Sequence, residues 1–304
     1  MPCFRMSLAV ALLCSGASTH AATPLAGSAL PPLDAATVLL VVAPHPDDET
    51  LCCAGAIQRV LQAGGRVSIV WLTSGDGSPL GSWVIEHSLL ADPAKMRAYG
   101  RQRMAEARAA TDRLGVAPTG QLFLGYPDGG LRALLTQYRG RAYRSGFTGV
   151  AAVPYTDALF PQRPYTGADL ERDFATVIRR VQPTLILAPS PLDSHPDHHA
   201  AGLLAMAAAR GRAPGIVRYW IVHGGEGWPT PRGLVPGVPL TAPPLGAPLD
   251  LAVFALSVPE EDRKLAALRE YRTQLRVMEP FLLAFVRTTE LFATRAGVTP
   301  PDTP

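Results

Sequence analysis

The chain is poor in charged residues and almost without lysine. Charged residues make up 17% of its 304 residues, and Lys95 and Lys264 are the only lysines. The formal net charge is +3 and no run of five basic residues occurs, so a nucleic-acid partner gains little support. Hydrophobic residues make up 47% of the chain, which predicts a folded protein with a sizeable core and excludes a disordered one.

Several motifs of common enzyme classes are missing as well. No G-x-G-x-x-G follows the first apolar run, which removes the main support for dinucleotide binding. The chain has neither a Walker phosphate loop nor a G-x-S-x-G nucleophile elbow. After residue 22, no segment is long and apolar enough to predict a membrane helix.

The first 22 residues have the pattern of a secretory signal peptide. Arg5 precedes an apolar stretch over residues 6–13, and small residues end at Ala21 and Ala22. We therefore expect a signal peptide over 1–22, a linker over 23–36 and a secreted or periplasmic location. The alternative is a frayed apolar N-terminus of a cytosolic protein.

Few cysteines remain once this leader is set aside. Cys52 and Cys53 are then the only two, and adjacent cysteines do not easily reach relaxed disulfide geometry. We expect them to pack as small hydrophobic residues on a helix rather than act as a redox pair. The sequence thus predicts a chain without a structural disulfide.

Apolar runs alternate with helical patterns through most of the chain. The predicted strands are 37–43, 67–73, 121–124, 184–188, 216–222 and 251–256, and the predicted helices are 50–61, 93–114, 169–181, 198–210 and 257–276. Repeated strand–helix units imply an α/β fold with a mostly parallel sheet and right-handed crossovers. The remaining long stretches, 131–166 and 224–248, are predicted as loops.

Two clusters of histidine and aspartate follow two of these strands. The first strand runs into His45-Pro46-Asp47-Asp48-Glu49, and the strand 184–188 is followed by Asp193-Ser194-His195-Pro196-Asp197-His198-His199. Ligands of parallel sheets bind beyond the carboxyl ends of the strands, so the sheet can bring these clusters together. Because the clusters need each other to form one site, we expect a single domain over 37–293, followed by a flexible tail over 294–304.

The residue types in these clusters suit a catalytic metal. Catalytic zinc takes three imidazole or carboxylate ligands and leaves one position for water, a set that His45, Asp48 and His198 would supply. Asp47 would remain free as the base that takes a proton from that water.

The second cluster also offers a group for the developing negative charge. A protonated His195 could stabilise the charge on a carbonyl oxygen, with Asp197 holding the imidazole in orientation. His199 is the alternative to His198 as a ligand.

The two motifs resemble a known family. Residues 43–49 and the run His195-Pro196-Asp197-His198 look like the defining motifs of the PIG-L (LmbE-like) metal-dependent de-N-acetylases, with Pro44 as a small departure that leaves the ligand spacing intact. Further similar residues lie at 74–77 and 124–129, at Arg103 and Glu106, and at 267–274, so the resemblance covers about 38–292.

The resemblance implies a Rossmann-like, lactate-dehydrogenase-type fold with helices on both faces of the sheet. It implies a zinc-dependent hydrolase, with Fe²⁺ or another divalent metal as the alternative, that removes an acetyl group from an N-acetylglucosamine-containing glycan, glycoside or glycolipid. Carried over residue by residue, it implies the same ligands, His45, Asp48 and His198. It also implies the same roles for Asp47, His195 and Asp197, and contacts from Arg103 and Asp128 to sugar hydroxyls.

Other interpretations remain open at this point. A metal-dependent amidase acting on a non-sugar amide would use the same water activation, and a carbohydrate-binding protein without catalysis would need no base beside the metal. His223 follows a predicted strand and could approach the pocket. The aromatic residues that could stack on a sugar, with packing in the core as the alternative, are Tyr138, Tyr143, Tyr155 and Trp228. Trp83 and His87 are predicted as loop residues.

Overall fold

Five parallel strands form the centre of the structure, a computed structural model that describes residues 30–78, 81, 92–213 and 215–299. Their bounds are β1 Val38–Ala43, β2 Arg66–Thr73, β3 Gln121–Tyr126, β4 Leu185–Pro189 and β5 Val217–Trp220. They are arranged in the order β3-β2-β1-β4-β5. This is the arrangement of a Rossmann-like sheet, and the predicted α/β fold is confirmed.

The central strand β1 explains why the sheet is covered on both faces. Its residues Leu39–Ala43 are all fully buried, as the unbroken apolar run predicts for a strand between two helix layers. The chain proceeds from β1 to β2 on one side and from β4 to β5 on the other. Right-handed crossovers therefore place the two connecting helices on opposite faces of the sheet.

Seven α-helices surround the sheet in the described part of the chain. They are α1 Asp48–Gln62, α2 Pro93–Leu114, α3 Leu131–Thr136, α4 Gly167–Val181, α5 Pro196–Ala209, α6 Val258–Leu268 and α7 Arg272–Leu283. Helices α1, α2 and α6 pack against one another, and α3, α4 and α5 form a second group. No helix of the described residues is long and apolar enough to cross a membrane.

The C-terminal region differs from the sequence-based prediction. The capping box of Ser257 and Glu260 is present, but the predicted helix over 257–276 divides into α6 and α7, and the backbone of α7 is non-helical at Met278, two residues before Pro280. A strand that the sequence did not predict, β7 Thr289–Phe292, pairs antiparallel with β6 Ala252–Ala255. Similarly, the predicted loop 131–166 contains the short helix α3.

One further prediction needs correction. Cys52 and Cys53 are joined by a disulfide, although a structure without one was expected; the side chains bring the sulfur atoms together even at a Cα–Cα distance of 3.8 Å. In the predicted tail over 294–304, the backbone N–H of Thr294 donates to Asp250 and the carbonyl of Ala296 accepts the Ser190 hydroxyl. The predicted signal peptide over 1–22, Trp83 and His87 lie outside the described residues.

Candidate active site

The two histidine–aspartate clusters meet beyond the carboxyl ends of β1 and β4. These strands are neighbours, and the order of the sheet reverses between them, which is where ligands bind in such folds. The clusters border a cavity of about 230 Å³. Its walls are formed by His45, Asp47, Asp48, Leu51, Gly77, Ser78, Arg103, Asp128, His195, Val222, His223, Gln274, Met278, Phe281 and Leu282.

Three of the predicted ligands form a compact triangle at the base of this cavity. His45 Nδ1 lies 3.3 Å from Asp48 Oδ2, and His198 Nε2 lies 3.2 Å from the same oxygen. The two ring nitrogens are 3.3 Å apart, although their residues are separated by 153 positions in sequence. The fold therefore brings together atoms from the turn after β1, the first residue of α1 and the first turn of α5.

The size of the triangle fits a tetrahedral metal ion. Ligand atoms placed about 2.0–2.1 Å from a zinc ion in tetrahedral geometry stand about 3.3–3.4 Å from each other. The observed sides of 3.2–3.3 Å match that spacing. The donor set, two imidazoles and one carboxylate, is also one that catalytic zinc uses.

In the described part of the chain, two other sets of three residues have potential metal-ligating atoms that lie within 4.8 Å of one another. One combines His45 with His195 and His198, and the other combines His45 with Asp128 and Asp197. In the second group, Asp128 Oδ1 and Asp197 Oδ2 lie 3.2 and 3.3 Å from His45 Nε2. These carboxylates face the ring nitrogen opposite the triangle, so they suit the role of acceptors behind a metal ligand.

Charge around the triangle favours a cation. Burial by itself lowers the pKa of His198, but the carboxylates of Asp193 and Asp48 raise it to about 10. Burial likewise opposes a charge on His45, yet Asp128 and the neighbouring carboxylates hold its pKa well above the ordinary value. A site that draws protons onto two buried imidazoles has an excess of negative charge, which a metal ion would neutralise.

Asp193 orients His198, a role that sequence reasoning missed. Its Oδ2 lies 3.1 Å from His198 Nδ1 and accepts hydrogen bonds from the backbone N–H groups of Val222 and His223 at 2.9 and 3.0 Å. Its Oδ1 accepts from the backbone N–H of His195 at 3.0 Å. The signal was present in the second motif, since a carboxylate commonly supports the far nitrogen of a metal-binding histidine.

Asp47 borders the cavity beside the triangle without belonging to it. It is the residue that caps α1, and its carboxylate contacts Arg103 Nη2 at 3.1 Å. Burial raises the pKa of Asp47 to about 7, with the Arg103 charge opposing the rise. A carboxylate with such a pKa is suited to accept and return a proton near neutral pH.

Arg103 has a different environment from the one expected for a sugar contact. Its guanidinium is nearly buried and donates to the carbonyls of Pro46 at 2.6 Å and Gly75 at 3.0 Å in addition to the Asp47 carboxylate. The structure therefore places Arg103 behind Asp47, where it fixes the turn that carries this residue.

His195 and Asp197 interact through the backbone of Asp197. The N–H of Asp197 donates to His195 Nδ1 at 3.2 Å, while the Asp197 carboxylate accepts from the N–H groups of Gly129 and Leu131 and faces His45. A ring whose Nδ1 is an acceptor carries its proton on Nε2. Burial, and after it the charges of the neighbouring His45 and His198, lower the pKa of His195 to about 3.

Comparison with known proteins identifies the family. The family model PIG-L, described as GlcNAc-PI de-N-acetylase, matches residues 40–209, more than half of the chain. This protein belongs to the PIG-L family. The predicted family and the predicted enzyme class, a hydrolase that releases acetyl groups from amines, are confirmed.

Three curated relatives that match this chain are deacetylases with the same name. The 1D-myo-inositol 2-acetamido-2-deoxy-alpha-D-glucopyranoside deacetylase of Geodermatophilus obscurus is 30% identical over 271 residues, which cover 80% of this chain and 84% of the relative. The enzyme of the same name from Tsukamurella paurometabola is 32% identical over 269 residues, covering 79% and 83%. The match to that of Kribbella flavida, 32% over 199 residues, spans 59% of the relative.

Solved structures share the PIG-L fold at lower identity. The A40926 pseudoaglycone deacetylase Dbv21 has a TM-score of 0.52 and 21% identity, covering 85% of this chain and 96% of that one. A conserved protein of Thermus thermophilus has a TM-score of 0.51 and 24% identity, covering 88% and 100%. The likeness shows that the architecture is common to these proteins.

Metal dependence is a property of PIG-L deacetylases, and the predicted dependence on a metal is supported at that level. The predicted secreted or periplasmic location is wrong, because the relatives that match this chain are cytoplasmic enzymes.

Of the other residues that the sequence suggested for the site, some border the cavity and others do not. His223 borders the cavity, and its ring stacks on Phe281 with 5.7 Å between centroids. His199 faces away from the triangle and bonds through Nδ1 to the Pro191 carbonyl at 2.7 Å. Trp228 is buried and packs against Phe285, as the alternative of core packing predicts.

The three tyrosines of the long loop are also engaged with other protein groups. Tyr138 and Tyr143 pack against each other edge to face, and the Tyr155 hydroxyl donates to Asp76. None of these tyrosines is among the described residues that border the cavity.

Helix α7 supplies a wall of the cavity that sequence reasoning did not anticipate. Gln274, Met278, Phe281 and Leu282 border the cavity together with the carboxylates of the first motif. The break in the helix at Met278 changes the direction of the chain before Phe281 and Leu282. No local pattern in the sequence connects this helix with β1.

Proposed function

We propose that this protein is a zinc-dependent hydrolase that removes the acetyl group from an N-acetylglucosamine-containing glycoside. The observation that carries the proposal is the triangle of His45, Asp48 and His198, whose sides fit a tetrahedral ion, with the Asp47 carboxylate beside it in the same cavity. The curated relatives, which act on an N-acetylglucosaminyl inositol by name, support this substrate class.

His45 Nδ1, His198 Nε2 and Asp48 Oδ2 are the atoms that would hold the metal ion. A zinc ion held by these atoms would supply Lewis acidity, which polarises a carbonyl group and lowers the pKa of a water molecule to about 7. Zinc is preferred because of the nitrogen-rich donor set, and ferrous iron is the alternative that two histidines and one carboxylate also suit.

Asp47 transfers the proton in both halves of the reaction. It accepts a proton from the attacking water as the water oxygen bonds to the acetyl carbonyl carbon. When the carbon–nitrogen bond breaks, Asp47 returns the proton to the departing amine. Water has then been added across the amide bond, and the products are acetate and a free amino sugar.

His195 stabilises the oxygen on which negative charge develops. Its Nδ1 is occupied by the backbone N–H of Asp197, so Nε2–H is the group left to donate to that oxygen. The Nε2–H donor is available on the neutral imidazole as well as on the imidazolium that the sequence suggested.

The cavity has two kinds of surface for the sugar. Asp128, whose Oδ2 accepts from the backbone N–H of Gly77, offers an acceptor to sugar hydroxyls at one side. The apolar side chains of α7, Met278 and Phe281, face a pyranose ring from the other side, where its C–H groups can pack. Arg103 also borders the cavity, but its described hydrogen bonds go to Asp47 and to the carbonyls of Pro46 and Gly75, so we assign it to positioning Asp47.

The decisive experiment measures acetate release from a panel of N-acetylated compounds, including N-acetylglucosaminyl inositol, N,N′-diacetylchitobiose and simple non-sugar acetamides. We expect release from N-acetylglucosaminides, its loss after chelation of the metal and recovery with zinc. Asp47→Ala keeps the metal and loses at least about a hundredfold in rate, as expected for a general base. Near-full activity of Asp47→Ala refutes its role.

A matched pair of histidine variants tests the metal site. His198→Ala loses bound zinc together with activity, whereas the neighbouring His199→Ala retains both, because His199 bonds to the Pro191 carbonyl outside the triangle. The reverse result overturns the ligand assignment: zinc would be lost in His199→Ala and retained in His198→Ala.

A further inference from the structure

The turn that carries Asp47 is held in an unusual backbone conformation. Asp47 has φ 123° and ψ −33°, outside the regions that residues with a side chain normally adopt. Such a conformation persists only where the surrounding structure enforces it. Since Asp47 is the proposed base, the groups that enforce its conformation determine where its carboxylate lies.

Both polar groups of the peptide between Pro46 and Asp47 are hydrogen-bonded to buried side chains. Its carbonyl oxygen accepts from Arg103 Nη2 at 2.6 Å, and its N–H donates to Glu49 Oε2 at 3.2 Å. A rotation of this peptide would break both hydrogen bonds at once. Arg103 and Glu49 therefore hold the plane of the peptide from opposite sides.

Glu49 is itself held by side chains from distant parts of the chain. It is fully buried, and its Oε2 also accepts from Trp71 Nε1 at 2.9 Å on β2. Its Oε1 accepts from Thr50 Oγ1 at 2.6 Å and from the hydroxyl of Tyr271, the residue that precedes α7. These donors fix the orientation of the Glu49 carboxylate, which accepts the hydrogen bond from the Asp47 N–H.

Other residues that follow β6 in the chain bind the first half of helix α1. Lys264 on α6 donates to the Leu51 carbonyl at 2.8 Å and pairs with Glu290 at 2.8 Å, both side chains being buried. Glu290 in turn accepts from the backbone N–H groups of Gly55 and Ala56. Helix α1 is thus tied to residues beyond 209, where the match to the family model ends.

We propose that Glu49 and Tyr271 are positioning residues for the base Asp47. Glu49 fixes the peptide before Asp47, and Tyr271 fixes Glu49, so the segment after β6 takes part in catalysis through the backbone of the first motif. This inference rests on the proposed role of Asp47 as the base. Neither residue contacts the triangle of His45, Asp48 and His198 through its described hydrogen bonds.

Tyr271→Phe is the primary test, because it removes one hydroxyl from a buried ring. We expect kcat for acetate release to fall about tenfold or more, the scale of a small displacement of a catalytic group. KM and the zinc affinity, measured by competition with a chromophoric chelator, should stay within about twofold. Tyr126→Phe is the control, since its buried hydroxyl also donates to a carboxylate, Asp173, at 3.0 Å, away from Asp47.

A double-mutant cycle then separates positioning from a general loss of structure. In the Asp47→Ala background, Tyr271→Phe should leave the residual rate unchanged, because the group through which it acts is gone. Glu49→Gln serves as a second variant if Tyr271→Phe fails to fold, and the same cycle applies to it.

Three outcomes overturn the inference. They are a kcat of Tyr271→Phe within twofold of the parent, an equal loss in Tyr126→Phe, and an undiminished effect in the Asp47→Ala background. Failure of the proposed function is distinguishable, because it would appear as retained activity in Asp47→Ala itself.

Discussion

Replacing Asp193 by asparagine tests how strongly the metal site depends on a carboxylate behind one of its ligands. Asp193 Oδ2 lies 3.1 Å from His198 Nδ1, and Oδ1 accepts from the His195 backbone N–H. Asparagine keeps the shape and one oxygen acceptor. It loses the negative charge, and its NH₂ group then faces the backbone N–H of His195, which is also a hydrogen-bond donor.

The expected loss concerns metal affinity more than folding. Removing the hydrogen-bonding partner of a metal-binding histidine typically costs 10–100-fold in affinity, about 1.4–2.7 kcal/mol at 1.36 kcal/mol per tenfold change. The oxygen of asparagine can still accept from the N–H groups of Val222 and His223, so we expect about 1 kcal/mol or more of lost stability from the remaining mismatch.

The assay is a zinc competition titration against a chromophoric chelator near neutral pH, accompanied by urea unfolding of the metal-free protein. Asp173→Asn is the matched control, because Asp173 is a buried carboxylate bonded to Tyr126 and Arg163, remote from the triangle. A zinc affinity of Asp193→Asn within threefold of the parent refutes the reasoning. So does an equal loss of affinity in Asp173→Asn.

Two further predictions concern buried charge away from the ligands. Burial raises the pKa of Asp76 to about 7, so the folded chain keeps a proton that the unfolded chain releases above about pH 4, and this group makes stability fall as pH rises from about 4 to 7. Asp76→Asn should therefore flatten the pH dependence of Tm in that range, and an unchanged slope contradicts the assignment. Lys264→Met leaves the buried Glu290 without its cation and should cost about 3–5 kcal/mol in urea unfolding, whereas Arg113→Met, from the exposed pair with Glu270, should cost under about 1 kcal/mol. Equal costs in the two variants would refute the difference.

The local patterns of the chain predicted most of its regular structure. The unbroken apolar run over 37–43 and the long helix over 93–114 are found at nearly the expected positions, because burial on both faces and helix capping act over a few residues. The division of the predicted C-terminal helix between Leu268 and Arg272 was missed, because Pro280 marks only the later break inside α7. Strand β7 was missed because a four-residue strand is defined by its partner β6.

The candidate site was predicted to the extent that it is local. His45 and Asp48 lie in one turn, and His198 follows another strand, so motif spacing and the rule for parallel sheets were sufficient to bring them together. The directions of Asp197 and Arg103 were not predictable in this way. The Asp197 carboxylate faces His45, and the Arg103 guanidinium donates to the Pro46 carbonyl in the turn that carries Asp47. Both contacts depend on packing between elements that are distant in the chain.

The sequence by itself determined the alternation of strands and helices, the two motifs and the chemistry of their side chains, since these depend on residue type and short-range spacing. Tertiary structure alone decided which atoms face one another. The 3.2–3.3 Å triangle, the grip of Glu49 and Arg103 on the peptide before Asp47 and the wall of α7 join residues that are far apart in the chain. Their geometry follows from how the sheet and helices pack, which no local pattern specifies.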